Sequence, residues 1–161
     1  MTPHVPINSA SKDSQIPVQA QLAAAWTSFM FLYIYVDHLG LYKPGFINDI
    51  LAGVVFEFDI SQTFVVIALT SAAIPVFMIL LSMTLPARVN RAINLVVATL
   101  LIPWMAFNLV GGSWLYFYGL GLVLEVIILA YILRSAWTWP RTHSDAADAA
   151  TADRLRQQAH A

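Results

Sequence analysis

Polar and apolar residues separate along this chain into long blocks rather than short alternations. Four apolar blocks run roughly over Gln21–Leu41, Thr63–Leu85, Ala92–Val110 and Trp114–Ser135. At ~1.5 Å of rise per residue, about 20 residues cover the ~30 Å hydrocarbon layer of a bilayer. Each block is therefore long enough to cross as a helix. Helix-breaking residues close the blocks: Pro44-Gly45 after the first, Pro86 after the second, Gly111-Gly112 after the third and Pro140 after the fourth. The pattern predicts an all-α fold, a membrane bundle of four transmembrane helices. Residues 20–140 form that domain, between a polar N-terminal tail over 1–19 and a polar C-terminal tail over 141–161.

The segment between the first two spans is harder to read. Phe46, Ile47, Ile50, Leu51, Val54, Val55 and Phe58 recur at helical spacing, with Asp49, Gly53 and Glu57 on another face. It is too short and too polar to span, so an amphipathic helix lying in the interface is expected. The alternation Phe56-Glu-Phe-Asp-Ile60 also admits a short extended piece.

Composition narrows the chemistry. The chain of 161 residues is 59% hydrophobic and 11% charged, where a soluble domain is about 25% charged. A net charge of −1 gives no basic face for nucleic acid. The absence of cysteine excludes thiolate metal sites, iron–sulfur clusters and dithiol chemistry from this chain. Of the four histidines, His4, His143 and His160 lie in the tails and His38 alone is near a span. No haem ligand pair results within one subunit. No cofactor and no metal are expected. The first nineteen residues, with Pro3, Pro6 and Pro17, lack a basic cluster leading into an apolar run, so the first span should remain as an anchor.

Charge asymmetry sets the expected orientation. Arg88 and Arg91 fall between spans two and three, Arg134 and Arg141 follow span four, and Lys12 precedes span one. Lys43 alone is on the other side, together with Asp49, Glu57 and Asp59. Positive residues stay cytoplasmic, so both termini are expected inside. Trp26, Trp137 and Trp139 would then mark the inner interface, and Tyr42, Trp114, Tyr116 and Tyr118 the outer one.

Against this apolar background a few polar residues stand out. Glu125 lies in Gly121-Leu-Val-Leu-Glu-Val-Ile-Ile-Leu129, roughly 15 Å from the end of its span and near the midplane. Tyr33 falls at nearly the same depth, while Asp37 and Asn108 lie nearer the outside. A charge at such depth needs a partner, a proton or a cavity. Tyr33 and Asp37 share a helix face, as do Tyr118, Gly121 and Glu125, and Gly121 would let another helix approach closely. Tyr33, Asp37, Asn108, Tyr118, Glu125 and the deep Trp104 are the candidate site residues. Two readings stand side by side: these groups line a small cavity, or they hydrogen-bond one another and fix helix packing. Pro75 and Pro103 each free a carbonyl four residues back and are expected to shape packing. Arg88-Val-Asn-Arg91 reads as a positive-inside anchor.

Three segments together carry a resemblance: Leu22-Ala-Ala-Ala-Trp26 running on through Asp37-His-Leu-Gly-Leu-Tyr-Lys-Pro-Gly45, Asn90-Arg-Ala-Ile-Asn94, and Tyr116-Phe-Tyr-Gly119 with Glu125 and Ala136-Trp-Thr-Trp-Pro140. Over roughly residues 20–140 the chain resembles an uncharacterised bacterial family of small four-helix integral membrane proteins, known as a domain of unknown function. The resemblance implies a four-helix bundle in the bacterial cytoplasmic membrane and brings no activity with it. A looser likeness to DoxX-type proteins rests on helix count and size alone.

The leading functional expectation is a multi-pass protein that binds or passes a small ligand or proton at a polar layer centred on Glu125. A structural or accessory subunit of a larger membrane complex is the second class. An intramembrane enzyme using Glu125 and Asp37 as acid and base on a lipophilic substrate is the third. The expected partners are the lipid bilayer and a small ligand or a second copy of the chain, without nucleic acid.

Overall fold

The computed structural model describes residues 16–56, 58–107, 114–139 and 156–158. Within them the chain is mostly helical: α1 (Val18–Gly40), α2 (Phe46–Leu51), a minimal hairpin of β1 (Val54–Val55) and β2 (Phe58–Asp59), α3 (Gln62–Thr84), α4 (Ala87–Phe107) and α5 (Leu115–Trp137). Three helices, α3, α4 and α5, are long and apolar enough to cross a membrane. The first span is present as a helix of the same 23-residue length as α3, yet it is less apolar, because Gln19, Gln21, Thr27, Ser28, Asp37 and His38 dilute its hydrophobic face. Large apolar side chains cover the outside, among them Phe31, Ile67, Leu69, Phe77, Leu100 and Leu120, each more than half exposed. Soluble proteins rarely expose contiguous apolar patches beyond a few hundred Å², so this surface fits a membrane protein.

Local chemistry explains the helix ends. Pro17 lacks an amide hydrogen but its carbonyl accepts the Gln21 N–H at 3.1 Å, which starts α1. Ser61 caps α3, its Oγ accepting the Phe64 N–H at 3.1 Å. Leu85 and Pro86 alone join α3 to α4, and the Pro86 carbonyl accepts the Asn90 N–H at 2.9 Å. Helix α4 therefore begins at Ala87, ahead of the expected Ala92. Arg88 and Arg91 lie in its first turns rather than in a loop, since alanine and arginine are good helix formers and proline suits a helix start.

Helix α1 packs against α3 and α5, α4 packs against α5, and α3 touches α4 more lightly. The start of α1, the end of α3, the start of α4 and the end of α5 meet at one end: Trp26 bonds Asn94, Asn90 bonds Ser82, and the Arg91 guanidinium lies 5.7 Å from the Trp137 ring. Successive long helices thus run in alternating directions. The core between them is Leu22, Trp26 and Phe29 of α1 with Met78, Ala98, Leu101, Leu129 and Ile132. Pro75 is buried on the α3 face that carries Met78 and Ser82, whereas Pro103 is exposed. Trp26 is fully buried. It fills the core rather than marking an interface, because its indole N–H finds an acceptor inside.

The connection from α1 to α3 differs from an amphipathic helix over its whole length. Helix α2 stops at Leu51, and Gly53 follows with φ +85°. Val54 then pairs with Asp59 and Val55 with Phe58 in antiparallel register. The β-branched Val54-Val55 and the alternation after it favour this short extended pair over further helix. Phe46 and Phe56 meet edge to face at 6.0 Å and tie α2 to the hairpin. Asp49 is exposed, as expected, and Glu57 lies outside the described residues.

Candidate functional site

At the end of the molecule opposite the buried Trp26, α1 and α5 present polar residues to each other. On α1, Tyr33 and Asp37 are one turn apart. On α5, Tyr118 and Glu125 are seven residues and two turns apart, so they share a face. All four line one pocket of about 140 Å³, completed by Phe46 and Phe56 from the α2–hairpin cap and Met105 from α4. The volume is well below the roughly 300–1,000 Å³ of drug-sized pockets. It exceeds the ~30 Å³ of one liquid water, which leaves room for a small solute.

The depth of the pocket follows from helix rise. Glu125 lies about 15 Å from the start of α5, and Asp37 about 4.5 Å from the end of α1. Glu125 is 5% exposed, while Asp37 is exposed at the pocket mouth. The two depths anticipated as separate polar layers are one continuous pocket. Asp37 lines the same pocket as Tyr33, Tyr118 and Glu125.

Glycines make this convergence geometrically feasible. A Cβ on Gly121 would lie 2.9 Å from Val36 Cγ2, and one on Gly40 would lie 3.1 Å from the Tyr118 hydroxyl. A side chain at Gly121 would press on Val36 and oppose this close approach of α1 and α5. The close approach expected of Gly121 is thus made by Val36 of α1.

The remaining sequence candidates fall elsewhere. Trp104 lines a separate apolar groove of about 460 Å³ between α3 and α4, with Ile67, Ile74 and Leu100. Trp104 does not line the Glu125 pocket, to which α4 contributes Met105. Asn108 lies outside the described residues.

Sequence reasoning missed a second polar cluster, at the opposite end. Trp26 Nε1 donates to Asn94 Oδ1 at 2.7 Å, Asn94 Nδ2 donates to Asn90 Oδ1 at 2.6 Å, and Asn90 Nδ2 donates to the Ser82 carbonyl at 2.6 Å. All four residues are buried. This chain ties α1, α4 and α3 together. The spacing of Asn90 and Asn94, one turn apart beside an apolar run, was the available signal.

Chemically, the Glu125 pocket offers two carboxylates and two phenols in an otherwise apolar wall. Such a set can hold a proton or coordinate a polar solute. Among the described residues no three His, Cys, Asp or Glu side chains cluster as a metal site would require. No curated protein and no solved structure matches the chain. One family does match, over residues 15–146, and it is a family of unknown function (DUF6326).

Proposed function

The chain belongs to that family of unknown function, and from the geometry of its pocket we propose that it is a multi-pass membrane protein binding a small ligand or a proton at Glu125. The observation that carries this reading is the convergence of Tyr33, Asp37, Tyr118 and Glu125 on one small pocket, while the outer faces of the same helices are apolar. A packing role alone would favour a filled interior. Here the carboxylate buried most deeply among the described residues borders open space.

In this reading all four long helices cross the bilayer as an antiparallel bundle in the bacterial cytoplasmic membrane. The polar residues of α1 support its inward placement in this reading, since Tyr33 and Asp37 line the pocket. Arg88, Arg91 and Arg134 gather at one end of the bundle and Asp49 and Asp59 at the other, which supports both termini lying in the cytoplasm. The pocket then opens toward the outer interface beneath the α2–hairpin cap, whose exposed Ile47, Leu51 and Phe58 suit contact with headgroups and acyl chains.

The test uses the chain's lack of cysteine. Leu122 lines the pocket and Ala98 is fully buried in the core. A small membrane-impermeant thiol reagent added from the outer side should modify Leu122→Cys and leave Ala98→Cys untouched, with Asp49→Cys as the exposed control. Modification at Asp49→Cys with none at Leu122→Cys would mean a closed interior and would overturn the pocket reading.

A further inference from the structure

The pocket's lining also says what kind of ligand it suits. Glu125 is 95% removed from solvent, being 5% exposed, and borders the pocket. Among the described residues no hydrogen bond or ion pair engages its carboxylate. Asp37 lines the same space, and no basic side chain does. Two carboxylates with no basic side chain among the described lining residues favour a positively charged ligand over an anionic one.

The remaining wall distinguishes one kind of cation from another. Four aromatic rings, those of Tyr33, Phe46, Phe56 and Tyr118, line the pocket. Ring faces attract cations through their quadrupole, and cages of such rings suit quaternary ammonium groups. A bare metal ion needs more oxygens: calcium takes about 6–8 and magnesium an octahedral set. The pocket supplies two carboxylates and two phenols. A volume of about 140 Å³ admits a compact head group but not a drug-sized molecule.

The geometry points to a small organic monocation, a substituted ammonium, as the ligand of the Glu125 pocket. This rests on the binding reading above. Glu125 at the base and Asp37 at the mouth flank the cation, and the aromatic side chains enclose its alkyl groups. Phe46 and Phe56 come from the cap rather than the bundle, so the cap supplies part of the pocket wall. Phe56 holds φ at +56°, a left-handed conformation that non-glycine residues seldom adopt and that clusters at ligand clamps.

The test uses the full chain in lipid nanodiscs, with radiolabelled choline as probe in equilibrium dialysis. Binding should be saturable. Tetramethylammonium should compete, whereas choline's uncharged isostere, with carbon in place of nitrogen, should not. Asp37→Asn and Tyr118→Leu should each weaken binding at least about tenfold, equivalent to ~1.4 kcal/mol, while Tyr118→Phe keeps the ring and the affinity. Thermal unfolding of each variant checks that it is folded. Equal competition by the uncharged isostere, displacement by sodium as strong as by tetramethylammonium, or parental affinity in folded Asp37→Asn would each overturn the assignment. If Leu122→Cys is labelled but choline does not bind, the cation class fails and the pocket reading survives. If Leu122→Cys is also inaccessible, both fail.

Discussion

At the residue scale, Glu125 decides between a site and a structural contact, and its replacement separates the two. Glu125→Gln keeps size and hydrogen-bonding capacity while removing charge and the exchangeable acid. The variant should fold with a melting temperature near the parent's, and it should lose choline binding; parental binding in folded protein would assign Glu125 to packing. A second residue-scale prediction concerns Gly121, where an added Cβ would meet Val36 at 2.9 Å. Overpacking typically costs about 1–3 kcal/mol, so Gly121→Ala should lower thermal stability measurably, and Val36→Ala in the same chain should restore part of it. Asn94 supplies a third. Asn94→Leu leaves the buried Trp26 N–H without its acceptor, which costs about 1–3 kcal/mol. Denaturation in detergent should show that loss with the Glu125 pocket still accessible at Leu122→Cys, because the two clusters lie at opposite ends. Candidate residues were legible where depth arithmetic sufficed. Glu125, Tyr33, Asp37 and Tyr118 are isolated polar positions in apolar helices, and helical phase anticipates that they share one pocket wall. Trp26 and Trp104 were not legible that way. A tryptophan is equally at home in a core, a groove or an interface, and only its partners decide.

At the element scale, the four long helices could be read from block length and from proline and glycine at their ends. Their boundaries agree within a few residues for α1, α3 and α5. The start of α4 differs because the apolar block begins only at Ala92, although the arginines before it are good helix formers. The α2–hairpin cap was only half legible. Its apolar residues satisfy helical spacing, but Gly53 at φ +85° and Phe56 at φ +56° break that pattern through backbone geometry, which periodicity does not register. The same geometry gives an element-scale prediction. Phe56→Gly relieves the unfavourable φ and removes a ring from the pocket wall. Unfolding temperature should therefore hold or rise while choline affinity falls. A fall in both would mean that the ring is chiefly a packing contact.

At the scale of the whole molecule, the long apolar helices were legible from composition and block length, and three of them meet the length and hydropathy of a span. The inward face was less so, because a helix in lipid gains little from burying leucine against another helix. Association depends instead on close packing and polar contacts. Those forces act at Gly121 against Val36, in the Trp26–Asn94–Asn90 chain, and around the Glu125 pocket. The proposed orientation rests on the arginine-rich end. Reporters fused after Ala161 and inserted near Arg88 should both read cytoplasmic, and one at Gly45 should read external; a cytoplasmic Gly45 would reverse the bundle and place the pocket mouth inside. The most direct measurement of the central claim is an experimental structure of the full chain in lipid nanodiscs with choline added. The account predicts four helices across the bilayer, Glu125 facing inward, and density for a compact ligand bordered by Glu125, Asp37 and Tyr118. Glu125 turned outward among lipid chains, or the space beside it filled by protein side chains, would contradict it.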